Sequence, residues 1–507
     1  MPLQTVSIAA PGFYGLNTQD SGITLDTGFA STATNCIIDR FGRLGARKGW
    51  SYVTSSGGTG ENLVGLHRHV DIDGDETIIS WSDTKFFTGT GTLTEITPTT
   101  DNTIDDGNWQ CATLNDKAYF FHRDYKPMVY DPVGETITDI EDESDYSGTV
   151  PQGNTVLSAY GRLWVADTST NKMTVYWSDL LSGSDWGTGS AGSINLAAIL
   201  VNGTDEIVGI GAQNGQFIVF CKNTIVIFDD ATGGASFDPA TIRLVEVINR
   251  VGCVARDSIQ NTGLDIFFLS EDGLRSLGRV IQEKSLPMRD LSASIRDDLV
   301  QVTRTETNAD IKSVYSEDNA FYLLMFPSVD RIYCFDTRMP LQNGALRVTT
   351  WTGQEQGAML SLPNEVYFGQ TDGIAKYTGY LDDTETYRLQ YYTNYLDFGN
   401  ASQFKIIKRM ATTVIGGSTQ TLFMKAGYDY SDSYQTFPLT LTDTNPAEYG
   451  VAEYNIAEYT TGTAVETMRA PIGGTGNVLQ VGIECDIDGA ELSIQKLDIF
   501  IQQGRVF

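Results

Sequence analysis

The stretch DIFFLSEDGLRSLG, Asp265–Gly278, sets two apolar strands around an acidic Asp-Gly turn, and EVYFGQTDGIAKY, Glu365–Tyr377, writes the same hairpin again. Five more copies follow the pattern, among them TIISWSDTKFFTG, QFIVFCKNTIVIFDD and AFYLLMFPSVDRIYCFD. The seven turns fall at Asp83, Asp124, Thr170, Lys222–Asn223, Asp272, Ser328 and Asp372. Their spacing, roughly 41 to 56 residues, is the period of a four-stranded propeller blade. A hairpin with aromatic and β-branched residues on both faces cannot bury itself and needs a sheet packed on each side. Radial stacking supplies both neighbours. Whether all seven are complete blades is left open by the sequence, because the last copy can pair with an early strand to close the ring. Two or three β-sandwiches in series would also give short strands and polar turns, but need not repeat one aromatic hairpin.

The expected fold is therefore all-β: a β-propeller of six to seven blades over residues 61–378, followed by a C-terminal β-sandwich platform over 379–507. In the latter, YRLQYYTNYLDFG, FKIIKRMATTVI and TLFMKAGYD read as alternating strands. Residues 1–60, rich in Gly, Thr and Ser, form a lead-in that packs on platform or propeller. Leu291, Ile295 and Leu299 recur at helical spacing behind Asp290, which predicts a short amphipathic helix near 290–302 with Asp290 as its cap. At 507 residues the chain has material for roughly two or three domains, in keeping with that division.

Candidate chemistry is sparse. Three histidines occur, and His67 and His69 share one face of a strand without an evident third metal ligand. DIDGDE, Asp71–Glu76, departs from the calcium-loop order and reads as a solvated Asp-Gly turn. GIGAQNG, Gly209–Gly215, leads into a strand and fails as a dinucleotide fingerprint. SEDGLRSL at Ser270 lacks the spacer and closing tryptophan of a sialidase Asp-box. The six cysteines lie far apart, three of them inside apolar runs, and are expected to be reduced core residues. No catalytic, cofactor or metal site is expected. Met1 leads into no apolar leader and no segment approaches the roughly 18 apolar residues that cross a bilayer, so no membrane role is expected. Two basic groups, Arg40, Arg43, Arg47 with Lys48 and Lys405, Lys408, Arg409, read as solvated faces or as contacts with an acidic neighbouring subunit.

Four stretches resemble the tail nozzle proteins of short-tailed bacteriophages, the tail tubular B-like or DNA-stabilization family. They are GFYGLNTQDSGITLDTGFASTATNCIIDRFGRLGARKGW, GRLWVADTSTNKMTVYWSDLLSGSDW, GCVARDSIQNTGLDIFFLSEDGLRSL and YYTNYLDFGNASQFKIIKRM. The resemblance implies a non-enzymatic virion component: a homo-oligomeric, hexameric ring below the head-to-tail adaptor, meeting tail fibre or tip proteins and holding, then passing, the viral double-stranded DNA. The net charge of −30 agrees, since a carboxylate wall gives duplex DNA no counterion release and lets it slide. Candidates for that lining, or for solvated loops, are Glu141, Asp142, Glu143 and Asp145, with Asp382, Asp383 and Glu385; candidate subunit or adaptor contacts are Arg40, Arg43, Arg47, Lys405, Lys408 and Arg409. The alternative is a carbohydrate-binding or glycosidase-type propeller, with Trp186 or Trp351 stacking on sugars.

Overall fold

In a computed structural model the described residues are 3–504, apart from 24, 56–59, 201–202, 231–237, 283–289, 354–356, 401, 417–419 and 442–464. Every one of the seven predicted hairpins is present, and each supplies the second and third strands of a radial sheet. Six blades are sheets of their own. They begin at the inner strands Gly65–Val70, Gln110–Leu114, Gly153–Ala159, Ile207–Gln213, Gln260–Asn261 and Ala358–Leu362. Between the fifth and the last, the ring position is filled by Lys312–Ser316, Phe321–Phe326, Arg331–Asp336 and Arg347–Trp351, which open a ten-stranded sheet continuing into the platform.

The aromatic hairpins pack as their composition requires. Alternate side chains of one strand serve two different blade interfaces, because successive residues of a strand point to opposite faces. Phe120 joins Trp81 and Phe86 of the first blade, whereas Tyr119 and Phe121 join Leu163 and Val165 of the third. Trp164 meets Phe217 and Val219 in the next interface, and Ile218 and Phe220 meet Ile266 and Phe268 in the one after. Phe267 meets Tyr322, Leu323 and Met325 meet Phe368, and Tyr367 and Ile374 return to Ile78 and Phe87. The ring is sealed by an early strand: Trp50–Tyr52 pairs antiparallel with Gly373–Tyr377 as the outer strand of the last blade.

The platform consists of two sheets, and the lead-in is woven into both. The seven-stranded sheet centres on Lys405–Gly416 and Leu492–Gln503 and takes Gln4–Ala9, Cys36–Ile38 and Leu44–Ala46 from the N-terminal side. The ten-stranded sheet inserts Gly15–Leu16 and Phe29–Thr34 between the propeller unit and Tyr387–Thr393. The C-terminal strands are thus not a separate sandwich. One apolar cluster runs from Leu324 and Phe335 of the propeller unit through Ala30 and Leu389 to Ile494 and Ile499. The predicted helix exists but starts later, at Arg296–Thr305 after a single turn at Ala293–Ile295. Asp290 does not cap it; its fully buried carboxylate takes the Arg296 guanidinium instead.

Candidate functional site

The inner strands converge on the propeller axis, and a polar cluster closes it. Arg256 opens a single helical turn, Arg256–Ser258, that follows buried Ala255; the Ser258 hydroxyl donates to the Ala255 carbonyl at 2.6 Å and the Tyr322 hydroxyl donates to the Ser258 carbonyl at 2.8 Å. This fixes the guanidinium across the axis. Its Nη1 donates to the Asn154 carbonyl at 2.6 Å and to Asn154 Oδ1 at 3.0 Å, at the third blade. Its Nη2 donates to Asn108 Oδ1 at 2.9 Å, ahead of the second blade. Nε and Nη2 grip the Asp257 carboxylate at 2.7 and 3.1 Å, and Lys312 Nζ reaches the same carboxylate at 2.6 Å.

Burial alone would raise the Asp257 carboxyl, but the Arg256 and Lys312 charges reverse that and hold it well below the usual carboxylate range. Planar Arg suits this place because its fork binds carboxylate and amide oxygens at fixed angles. Cavities of about 290 and 220 Å³ border the cluster. The larger is lined by two more ion pairs, Arg123 with Asp167 and Lys172 with Glu206, the latter at 3.2 Å. Burial raises the Asp167 carboxyl above its ordinary value despite bonds from Arg123 and from Asn154 at 3.1 Å. Sequence reasoning did not single out any of these residues, and only the adjacent Arg-Asp pair at 256 and 257 could have marked the place.

The two strand histidines lie beside this axis. His67 Nε2 is 2.8 Å and His69 Nδ1 3.2 Å from the Thr113 hydroxyl, which can donate its O–H to one ring while its oxygen accepts the N–H of the other. Burial lowers the His67 pKa to about 4, assisted by His69, and burial lowers His69 and His122 as well. The folded protein therefore keeps these rings neutral, and the stability this gives is complete above the unfolded value near 6.5. It is lost as pH falls from about 6.5 to about 4. His67 lines the axial cavity and is half-buried, so, with solvent screening discounted, we expect it to account for about 2 kcal/mol over that window. Denaturant titrations at pH 7.5 and 4.5, repeated on His67→Gln, should show the loss in the wild type and a smaller one in the variant.

The residues singled out from sequence divide in two. Arg47 and Asp382, assigned to a subunit contact and to a lumen wall, bind one another: Nη1–Oδ1 is 2.7 Å and Nη2–Oδ2 2.6 Å. Arg47 has no exposed side-chain surface, so it faces no partner, and Asp382 is committed to it. Arg47 also donates through Nε to Asn35 Oδ1 at 3.0 Å and through Nη2 to the Thr352 carbonyl at 3.3 Å, with the Tyr387 ring 4.1 Å beneath. It joins both platform sheets to the end of the propeller. Lys405 is likewise internal, 2 % exposed and donating to the Asn400 and Asn477 carbonyls, and burial lowers its pKa. Trp351 is fully buried and so is not presented to a sugar, whereas Trp186 is half-buried with its ring edge-on to Phe121.

The others reach the surface. Glu141 and Asp142 form a turn after the outer strand of the second blade, with Glu141 3.1 Å from Lys126. Glu143 is half-buried, 2.7 Å from Lys117, and Asp145 accepts from Ser182 and Ser184. Asp383 and Glu385 are exposed in the link between propeller and platform. Arg40 and Arg43 flank the exposed Phe41 ring at 4.7 and 4.3 Å in the turn between Cys36–Ile38 and Leu44–Ala46. Lys408 and Arg409 are exposed on the platform at a break in strand register. The acidic run at Asp71 is a turn: Asp71 Oδ1 accepts the N–H groups of Asp73 and Asp75 at 3.0 and 2.8 Å, and Gly74 takes φ +89°. Among the described residues no group of three or more His, Cys, Asp or Glu is placed to hold a metal ion, and no helix is long and apolar enough to cross a membrane.

Fold and axis define a class: a β-propeller protein whose blades are joined through one continuous sheet to a two-sheet platform. No protein-family model matches the chain, and no curated protein does. Among solved structures it is similar to PorZ, described as an essential bacterial surface component of the type-IX secretion system of Porphyromonas gingivalis, at 12% identity and a TM-score of 0.33. That likeness covers 77% of this chain and 46% of PorZ, so the chain spans less than half of that protein. It is also similar to the C-terminal WD40 domain of Sif2, at 10% identity and a TM-score of 0.33, covering 61% of this chain and 79% of that domain.

Proposed function

We propose that this chain is a structural subunit of the tail nozzle of a short-tailed bacteriophage, a homo-oligomeric ring below the head-to-tail adaptor that retains the genome and conducts it at ejection. The observation that carries this reading is the closed axis fused to a platform. Arg256 ties Asn108, Asn154 and Asp257 across the centre of the propeller. Nothing the width of a duplex threads that centre, so a passage would have to form between copies. The continuous sheet and the Arg47–Asp382 pair make propeller and platform one body, which suits a wall segment under load. The net charge of −30 gives such a passage a surface to which DNA does not adhere. Exposed Asp142, Asp145, Asp383 and Glu385 are the lining candidates still free of a cation partner among the described residues. Tail fibre or tip proteins would meet the ring at its far end.

The glycan-binding alternative loses Trp351 to burial and keeps the half-buried Trp186. Light scattering after size exclusion, with electron-microscopic class averages, tests the choice. The nozzle reading expects closed rings of about six copies; a monomer at all concentrations that binds or hydrolyses glycans would replace it.

A further inference from the structure

The solvent face of the seven-stranded platform sheet has a charge opposite to that of the chain as a whole. Inward positions of its two long strands, Met410, Val414, Leu497 and Ile499, enter the core. The register sets Arg469, Ala411 and Asp498 in one outward row, and Arg409 beside Phe500 in the next. Lys408, at the register break, is exposed beside Arg409. Asp498, the acid in that row, takes Lys496 at 2.9 Å. Lys408, Arg409 and Arg469 then have no acidic partner among the described residues, and the Arg409 guanidinium rests 4.3 Å over the Phe500 ring. Three exposed cations without an acidic partner among the described residues, one of them over an aromatic ring, stand out on a protein of net charge −30.

The complementary surface lies elsewhere on the same chain. The turn Asp71–Asp75 is braced against the next blade, because the Ile72 N–H donates to Asp116 Oδ1 at 2.9 Å. Asp71, Asp73, Asp75 and Asp116 have no cation partner among the described residues, and Ile72 stands 77% exposed at the tip. An acidic knob with an apolar tip thus matches a basic face with an aromatic centre. Two different patches that complement each other give a heterologous contact, the kind that closes into rings.

We propose that the solvent face of this platform sheet, through Lys408, Arg409 and Arg469, docks on the Asp71–Asp75 turn of a second copy of this chain. The proposal rests on the ring reading and names its interface. Electrostatic docking of this kind weakens with salt.

The test uses the full-length protein and analytical ultracentrifugation at about 50 mM and 500 mM salt. The triple reversal K408E/R409E/R469E and the pair D73K/D75K should each weaken self-association by at least about tenfold, and mixing the two variants should restore it. Far-UV circular dichroism and melting curves identical to wild type establish that all are folded, as surface positions allow. Rings that persist unchanged in the triple reversal, or variants that fail to rescue each other when mixed, would overturn this interface while leaving the ring reading intact. A wild type that never associates would remove the ring reading itself.

Discussion

Replacing Arg47 with methionine is expected to destabilise the protein by about 3–5 kcal/mol, the usual cost of leaving one half of a buried ion pair alone. Asp382, its side chain 12 % exposed, would face a cavity with no counter-charge, the Lys48 and Thr352 carbonyls would lose the Arg47 donors, and Asn35 Oδ1 would keep the Thr352 N–H. Removing both charges in Arg47→Met with Asp382→Leu should recover part of the loss, because two apolar side chains leave no stranded charge. Urea unfolding of the two single variants and the double gives the coupling directly. A loss below about 1 kcal/mol for the single variant would mean that solvent reaches the pair and that the joint between platform and propeller is held by the shared sheet alone.

Arg256→Ala is the second large effect, expected at about 2–4 kcal/mol. It removes the donors to Asn108, Asn154 and Asp257 together, but water from the adjoining cavities can enter the gap, so the loss should fall below that of Arg47. Arg256→Lys keeps the charge and loses the fork, and should lie between wild type and alanine. Two signals separate a central tie from a general loss of packing. Amide exchange should accelerate first in Gln110–Leu114 and Gly153–Ala159, and the Asp257 carboxyl should titrate higher once Lys312 is its single remaining cation. Uniform exchange with an unchanged Asp257 would remove the role assigned to the arginine.

The propeller was legible because its middle strands are buried on both faces. The runs FIVFC and IVIF within them must be apolar throughout, and their repetition survives in the sequence. Inner strands such as GLHRHV line a polar axis, and outer ones such as IRLVEVIN meet solvent, so neither carries the same signal. The platform was half-legible. Its long C-terminal strands alternate, but Gly15–Leu16, Cys36–Ile38 and Leu44–Ala46 have two or three residues each and derive their order from partners far along the chain. The same distance hid the charge pairs. Arg47 and Asp382 are 335 positions apart, Arg256 and Asn108 are 148 apart, and no local pattern connects them. Asp290 misled because an acid ahead of a helix has two uses, and the half-exposed Arg296 guanidinium, six residues on, takes its buried carboxylate in place of the free N–H groups.

The strand that seals the ring, Trp50–Tyr52, leaves the ribosome long before Gly373–Tyr377, the one it joins; the Thr54 hydroxyl that accepts the Ile374 N–H is 320 positions upstream of it. During synthesis the early segment has an open ladder and nothing to fill it. Closure must therefore be a late event in folding, gated by the arrival of the last blade, and until then the nascent polypeptide exposes an edge on which a neighbouring polysome product can pair.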